Sequence, residues 1–302
     1  MDSIGYLDVK FTESLYESLV ISKENSMDAI EIQNLTKFYG SVRGVENLSL
    51  NIKKGEIVGF VGKNGAGKST TIRLLLNFIF PTDGQIKIFG MDSVKETKKI
   101  KEITAYLPGE INYYSNMRVK ELLDYAETFL PERDNDYKEK LLSYFELNPE
   151  RKISELSLGN KKKVGIIVCL LKKAKLIILD EPTSGLDPLM QKKFFHKLLK
   201  ERDRGATIFL SSHNLSDVEQ YCDRVEIIKD GTIVKSLSQS HIRQERKLRV
   251  TYKEKGRAQI SYIMNKDINV LIKELANKNL ESLELKYQSI EEELEKYYKG
   301  DK

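Results

Sequence analysis

The segment Gly62-Lys63-Asn64-Gly65-Ala66-Gly67-Lys68-Ser69 constrains this chain more than any other, because it fits G-x-x-x-x-G-K-[ST] at every required position. Its flanks supply the context. Ile57 to Val61 is an apolar run suited to a buried strand, and Thr70 to Leu76 carries the apolar spacing of a helix. Strand, glycine turn and helix therefore follow in order. The glycines let the backbone curl so that successive N–H groups face inward, and the helix N-terminus adds its positive end, making a nest for phosphate oxygens. Lys68 then supplies a mobile cation to the outer phosphates of a nucleoside triphosphate, and the Ser69 hydroxyl is suited to hold Mg²⁺. The predicted nucleotide contacts here are Gly62, Asn64, Gly65, Ala66, Gly67, Lys68, Ser69 and Thr70.

Further segments add chemistry to this loop. Leu176-Ile177-Ile178-Leu179 reads as a parallel strand buried on both faces, and it delivers Asp180 and Glu181 at its end. Asp180 is placed to bind Mg²⁺ through water, and Glu181 to polarise an attacking water. Leu156 to Asn160 is a small-residue turn leading into an apolar helix whose first turn holds Lys161, Lys162 and Lys163. Cations there oppose the helix dipole, so the lysines suggest either an anion bound nearby or a solvated basic face. Ser184 to Pro188 is a turn shortly after the carboxylates. Thr207 to Ser212 is another buried-type strand, ending on His213, one of only 3 histidines. Open α/β sheets put their ligands at such strand ends.

With these segments in order, the chain resembles the nucleotide-binding subunits of ATP-binding cassette (ABC) transporters, most of all the stand-alone ATPases of drug, bacteriocin and lantibiotic exporters. The likeness covers Ile30 to Lys235, roughly two-thirds of the chain, and the joint occurrence is far more specific than any single motif. It implies an α/β P-loop ATPase core with an antiparallel β-layer and a helical subdomain. It also implies that Tyr39 stacks on adenine, that Gly62 to Ser69 is the Walker A loop and Asp180-Glu181 the Walker B pair. Ser184 and Asp187 then belong to the D-loop, and His213 is the switch. Two subunits, identical or related, would sandwich two ATP molecules, with Ser157, Gly159 and Asn160 of the signature reaching the partner's nucleotide. ATP hydrolysis, with Mg²⁺, would power export through a separate permease at the cytoplasmic face of the membrane.

The chain departs from the family pattern in two motifs. The usual signature is L-S-G-G-Q, whereas Leu158 and Asn160 here replace the first glycine and the glutamine; Ser157 and Gly159 are kept. The family's Q-loop glutamine follows a Tyr-Leu-Pro type segment, but Tyr106-Leu107-Pro108 is followed by Gly109 and Glu110. An ionised carboxylate only accepts hydrogen bonds. Glu110 is therefore expected to face the metal's water or the permease, with Gly109 giving the loop its flexibility.

Composition bounds the remaining possibilities. With 50 Lys+Arg against 45 Asp+Glu, the net charge of +5 does not argue for nucleic acid, and none is expected as a partner. The 2 cysteines, Cys169 and Cys222, lack metal-ligand spacing and sit in apolar settings, which suits a reduced compartment. No run reaches the ~18 apolar residues of a membrane span. Cassette ATPases that act on chromosomes carry coiled coils or zinc-binding insertions, and ribosome-acting ones usually carry two cassettes. Neither pattern is present, while an ATP-sensing module with little turnover remains an alternative.

The expected organisation is a disordered extension over 1–26, an ATPase domain over 27–238 and an accessory α+β domain over 239–302. An over-long start assignment and a short amphipathic helix around Phe11, Leu15, Leu19 and Val20 are the alternatives for the extension. Within the ATPase domain, 112–158 reads as helical, with Val119, Leu122, Leu123, Ala126 and Phe129 at helical spacing, and Val225 to Val234 as a hairpin turning at Asp230-Gly231. Beyond it, Lys247 to Tyr252 and Ala258 to Met264 read as strands, followed by helical segments ending at Leu294 to Tyr298.

Overall fold

The computed structural model describes residues 28–240, 248–264, 268–276 and 278–287, so the expectations for 1–26 and for a helical end at Leu294 to Tyr298 lie outside the described residues. The chain opens with the antiparallel pair β1 (Asp28–Tyr39) and β2 (Val42–Lys53), then runs through β3 (Ile57–Val61) into α1 (Lys68–Leu75). Next come β4 (Asp83–Ile88), β5 (Met91–Asp92), α2 (Thr97–Ile103) and β6 (Thr104–Leu107). Three helices follow, α3 (Val119–Glu127), α4 (Asn135–Tyr144) and α5 (Leu158–Leu171). Strands and helices then alternate through β7 (Leu176–Leu179), α6 (Pro188–Asp203), β8 (Thr207–Ser212), α7 (Leu215–Tyr221) and β9 (Arg224–Lys229). β10 (Thr232–Ser238) returns antiparallel to β9. Asp230 and Gly231 both take positive φ, 49° and 79°, as a two-residue hairpin turn requires.

Two sheets build this part of the molecule. One is antiparallel, in the order β2-β1-β4-β5; the other has six strands, in the order β10-β9-β3-β8-β7-β6, and is parallel from β9 to β6. Every residue of β3, β7 and β8 is buried. Their side chains alternate between two cores. Ile57, Val61, Ile177, Leu179, Ile208 and Leu210 pack with Leu122, Leu141, Ile166 and Phe194 from α3 to α6. Val58, Phe60, Leu176, Ile178 and Phe209 pack instead with Ile72 and Leu75 of α1 and with the antiparallel layer through Ile30 and Leu48. The continuous apolar runs seen in the sequence are what burial on both faces demands.

Local chemistry starts the helices that border the site. Ser157 caps α5, its hydroxyl accepting from Asn160 N at 3.3 Å; Asp187 caps α6, accepting from Met190 N at 3.0 Å, with Pro188 at the first helical position. The helical reading of 112–158 corresponds to α3 and α4, although the first helical residue is Val119. Phe129 lies beyond the end of α3 and is exposed, so it is not one of the core positions its spacing suggested.

Beyond residue 247, β11 (Leu248–Glu254) pairs with β12 (Gln259–Met264) and with β13 (Leu280–Tyr287), and α8 (Ile268–Leu275) sets Leu271 and Leu275 against Leu248, Val250 and Tyr252. Both strands read from the sequence are present. The segment from Leu280 to Tyr287, read as helical, is a strand: Leu283, Leu285 and Tyr287 alternate with charged residues at period two and match Tyr252, Val250 and Leu248 across the ladder. The core of the main sheet is closely packed around Phe60 and Phe209, whose ring centroids lie 5.3 Å apart. Phe209→Ala should cost about 3–5 kcal/mol in urea unfolding; a loss under about 1 kcal/mol would show that this core collapses around the missing ring.

Candidate functional site

The site forms because β3, β8 and β7 are sheet neighbours, so the segments leaving their carboxyl ends emerge side by side. After β3, Gly62 N donates to Ser212 O at the end of β8 at 3.3 Å. The loop then turns through Gly65 and Gly67 with φ of 83° and 108°, and a Cβ at Gly67 would lie 2.8 Å from Gly44 O. Only glycine fits there. Gly67 O accepts from Thr71 N at 2.9 Å and from the Thr71 hydroxyl at 3.0 Å, which fixes the first turn of α1 below the loop.

Lys68 is buried, and its ammonium reaches Gly62 O at 2.7 Å, Lys63 O at 3.3 Å and Glu181 Oε1 at 3.3 Å. The other oxygen of Glu181 lies 2.6 Å from His213 Nδ1. An ionised carboxylate only accepts, so the proton of this pair sits on Nδ1 and donates to Glu181. The histidine ring is exposed while the glutamate is half-buried. Glu181 itself has φ of 47°, a left-handed conformation rarely taken by a residue with a long side chain.

Asp180 is buried and tightly held. The Ser211 hydroxyl donates to Asp180 Oδ1 at 2.6 Å, while Ser211 Oγ accepts from Glu181 N at 3.0 Å. Asp180 N donates to Leu107 O at 2.8 Å, tying the carboxylates to the edge strand β6. Tyr106, next to Leu107, has its phenol pushed up to about 12 by burial and by the Asp180 charge.

Two adjoining clefts of about 450 Å³ each meet at Asn64, Ser69 and Glu181. One extends over the phosphate loop to Thr70, Tyr39 and Val42. The Tyr39 ring is partly exposed and carries Lys37 Nζ 5.5 Å above its centroid. The other cleft runs from Ser69 and Asp180 to His213, Ser184, Gly109 and Glu110. Asn64, Gly65, Gly67, Lys68, Ser69 and Thr70 of the predicted loop, both carboxylates, the histidine, Ser184 and the Gly109-Glu110 pair thus surround one continuous space, whereas Gly62 and Ala66 do not line it. Ser157, Gly159, Asn160 and Asp187 line neither cleft. A Cβ at Gly159 would come within 2.4 Å of Gly185 O, so the signature packs directly on the turn that follows the cleft residue Ser184.

Two residues at this site were not readable as functional. Ser211 holds both carboxylate residues, and its only signal was a hydroxyl closing an otherwise apolar strand. Lys162, one of the three lysines read as facing a bound anion or solvent, is not on a solvated face: it is 2% exposed and donates to Gly109 O at 2.8 Å and to Pro108 O at 3.4 Å. Burial holds its ammonium below the ordinary lysine range, against the opposing pull of Asp180 and Glu181.

Comparison with known proteins follows the same outline. The family model described as ABC transporter matches residues 45–184. The bacitracin transport ATP-binding protein of Bacillus licheniformis is 40% identical over 220 residues, 71% of each chain. The lantibiotic transport ATP-binding protein of Streptococcus pyogenes is 36% identical over 212 residues, 68% of this chain and 89% of that one. A solved structure of an ATP-binding subunit of an ABC transporter superposes with a TM-score of 0.66 at 30% identity, covering 72% of this chain and 92% of the other. Ser211→Ala should lower ATP turnover by about 10–100-fold, since a displaced carboxylate pair loses its alignment. Steady-state hydrolysis by purified protein checks this, and turnover within twofold of the unmodified chain would make Ser211 a core hydroxyl only.

Proposed function

The chain belongs to the ABC transporter family of ATP-binding proteins and is an ATPase of that family, and we propose that its turnover powers export of an antibiotic-like small molecule or peptide through a separate membrane permease. The observation that carries this reading is the convergence of the phosphate loop, Asp180-Glu181 and His213 on adjacent strand ends, in a chain 40% identical to a bacitracin transport ATP-binding protein.

On this reading Tyr39 stacks on adenine, and the N–H groups of Gly62 to Thr70 with the Lys68 ammonium hold the phosphates. The Ser69 hydroxyl and the Asp180 carboxylate are hard oxygen donors on the wall of one cleft, a set that fits Mg²⁺. When bound, the ion neutralises charge on the phosphate oxygens. Glu181 takes the proton of the attacking water, while His213 holds Glu181 through Nδ1 and, when its other nitrogen carries a proton as well, donates from it to an oxygen of the outer phosphate. Ser157, Gly159 and Asn160 complete the site of a second subunit, identical or related. That none of the three lines the chain's own clefts supports that arrangement.

The permease side is the apolar groove of about 390 Å³ that begins where the Gly109-Glu110 segment ends. Tyr113, Tyr114, Tyr125 and Phe129 line it, and three of these rings are exposed. Among the described residues no helix is long and apolar enough to cross a membrane; the likeness to transport ATP-binding proteins is what assigns the pathway to the permease and this chain to its cytoplasmic face.

Glu181→Gln should bind Mg-ATP yet hydrolyse it about 10²–10⁴-fold more slowly, because it removes a positioned general base and leaves the phosphate loop intact. Near-normal turnover in purified protein would remove Glu181 from that role. Ser157→Arg and Lys68→Ala subunits should each be inactive alone. Mixed, their heterodimer puts both lesions in one shared site and leaves the other whole, so activity should rise above either parent. Specific activity independent of dilution down to monomer concentrations would instead refute sharing.

A further inference from the structure

The segment between β6 and α3 joins two places already described. Pro108, Gly109 and Glu110 line the cleft with Asp180, whereas Asn112, Tyr113 and Tyr114 line the apolar groove. Helix α5 grips the middle of this segment at two points. At the first, the buried Lys162 ammonium donates to the carbonyls of Gly109 and Pro108. About one turn further along the helix, Gly165 provides a dent. A Cβ there would lie 2.7 Å from Ile111 Cδ1 and from Leu107 Cδ1, and 2.8 Å from the Tyr113 hydroxyl.

The two contacts differ in kind, and together they restrict the segment in different directions. Lys162 holds backbone oxygens, so it resists withdrawal of the loop toward Asp180. Gly165 admits side chains from Leu107, Ile111 and Tyr113, so it resists sliding along the helix. A lysine buried to this extent is costly to desolvate. Methionine would fill the same volume without that cost, but would leave the Gly109 carbonyl without the donor it has here. Ser157 caps the same helix about one and a half turns before Lys162, and a helix transmits displacement along its length as a rigid rod.

We propose that Lys162 is a positioning residue that, with Gly165, locks the 107–113 segment to α5, so that a displacement of Gly109 at the nucleotide cleft moves Ser157 in step. The lock links three places: the Asp180 wall of the cleft, the aromatic groove, and the start of α5. It deepens the ATPase reading and rests on it.

Hydrogen exchange followed by mass spectrometry on the full chain, with and without Mg-ATP, tests the lock. In the unmodified protein Mg-ATP should slow exchange in both 108–113 and 157–163. In Lys162→Met the response should remain in 108–113 and be lost in 157–163, with kcat down at least about tenfold and KM for ATP within about threefold. A lysine that merely stabilised the fold would lower the melting temperature and leave the two responses together. Lys162→Gln keeps N–H donors and should restore the joint response and most of the turnover. Ile111→Ala, which empties the dent at Gly165, should weaken the joint response even if Lys162→Met does not fold. Joint responses and turnover within twofold of the unmodified chain in both Lys162→Met and Ile111→Ala would overturn the lock, as would failure of Lys162→Gln to restore what Lys162→Met loses. An unmodified chain that neither binds nor hydrolyses Mg-ATP would instead overturn the ATPase reading itself.

Discussion

The parallel hydrogen-bond ladder joining β3, β8 and β7 is the constraint on which the rest of the site depends. Its register sets Val61 beside Ser212 and Leu179 beside Leu210, so the phosphate loop, the histidine and the carboxylates leave the sheet at one edge. Because both faces of these strands are buried, a slip of one residue would exchange side chains between the two cores and shift each strand end by about 3.3 Å. Packing therefore fixes the chemistry. The same apolar alternation that stabilises the sheet holds Glu181 within reach of Lys68 and His213, a precision that no loop could keep unaided.

Contiguous chemistry was legible in the sequence, and contacts made across the fold were not. The phosphate loop announces itself in Gly62 to Ser69 because a glycine nest, a cation and a hydroxyl must stand in succession. Asp180-Glu181 could be read because an apolar strand delivers them at its end. Ser211 carried no such signal, since its partners Asp180 and Glu181 are remote in the chain and meet it only through the β7–β8 ladder. Lys162 was hidden for a related reason: within Lys161-Lys162-Lys163 nothing local tells the inward side chain from its neighbours. The strand from Leu280 to Tyr287 was misread even though its period-two alternation is visible, because a charged composition with several leucines also suits a helix. Phe129 fitted a helical spacing that ends before it.

Glu181 also sits at an electrostatic junction. An ammonium has three N–H donors, and those of Lys68 are met by Gly62 O, Lys63 O and Glu181 Oε1. A phosphate oxygen that approaches Lys68 competes with the carboxylate for that third donor. Exchange at the lysine would free one oxygen of Glu181 while His213 keeps the other, so on the proposed reading nucleotide binding and release of this carboxylate become one event.

The left-handed backbone at Glu181 has an evolutionary side. Such a conformation costs on the order of 1–3 kcal/mol for a residue of this kind and persists only where neighbours enforce it. Here the enforcement comes from Glu181 N donating to Ser211 and from Ser184 N donating to Glu181 O at 3.3 Å. Glycine or asparagine would adopt the same φ more easily, so relief of strain and retention of the carboxylate pull in opposite directions at this one position. Relief of strain alone would drive the residue toward glycine, whereas the ion pair with the buried Lys68 and the contact with His213 both require the carboxylate.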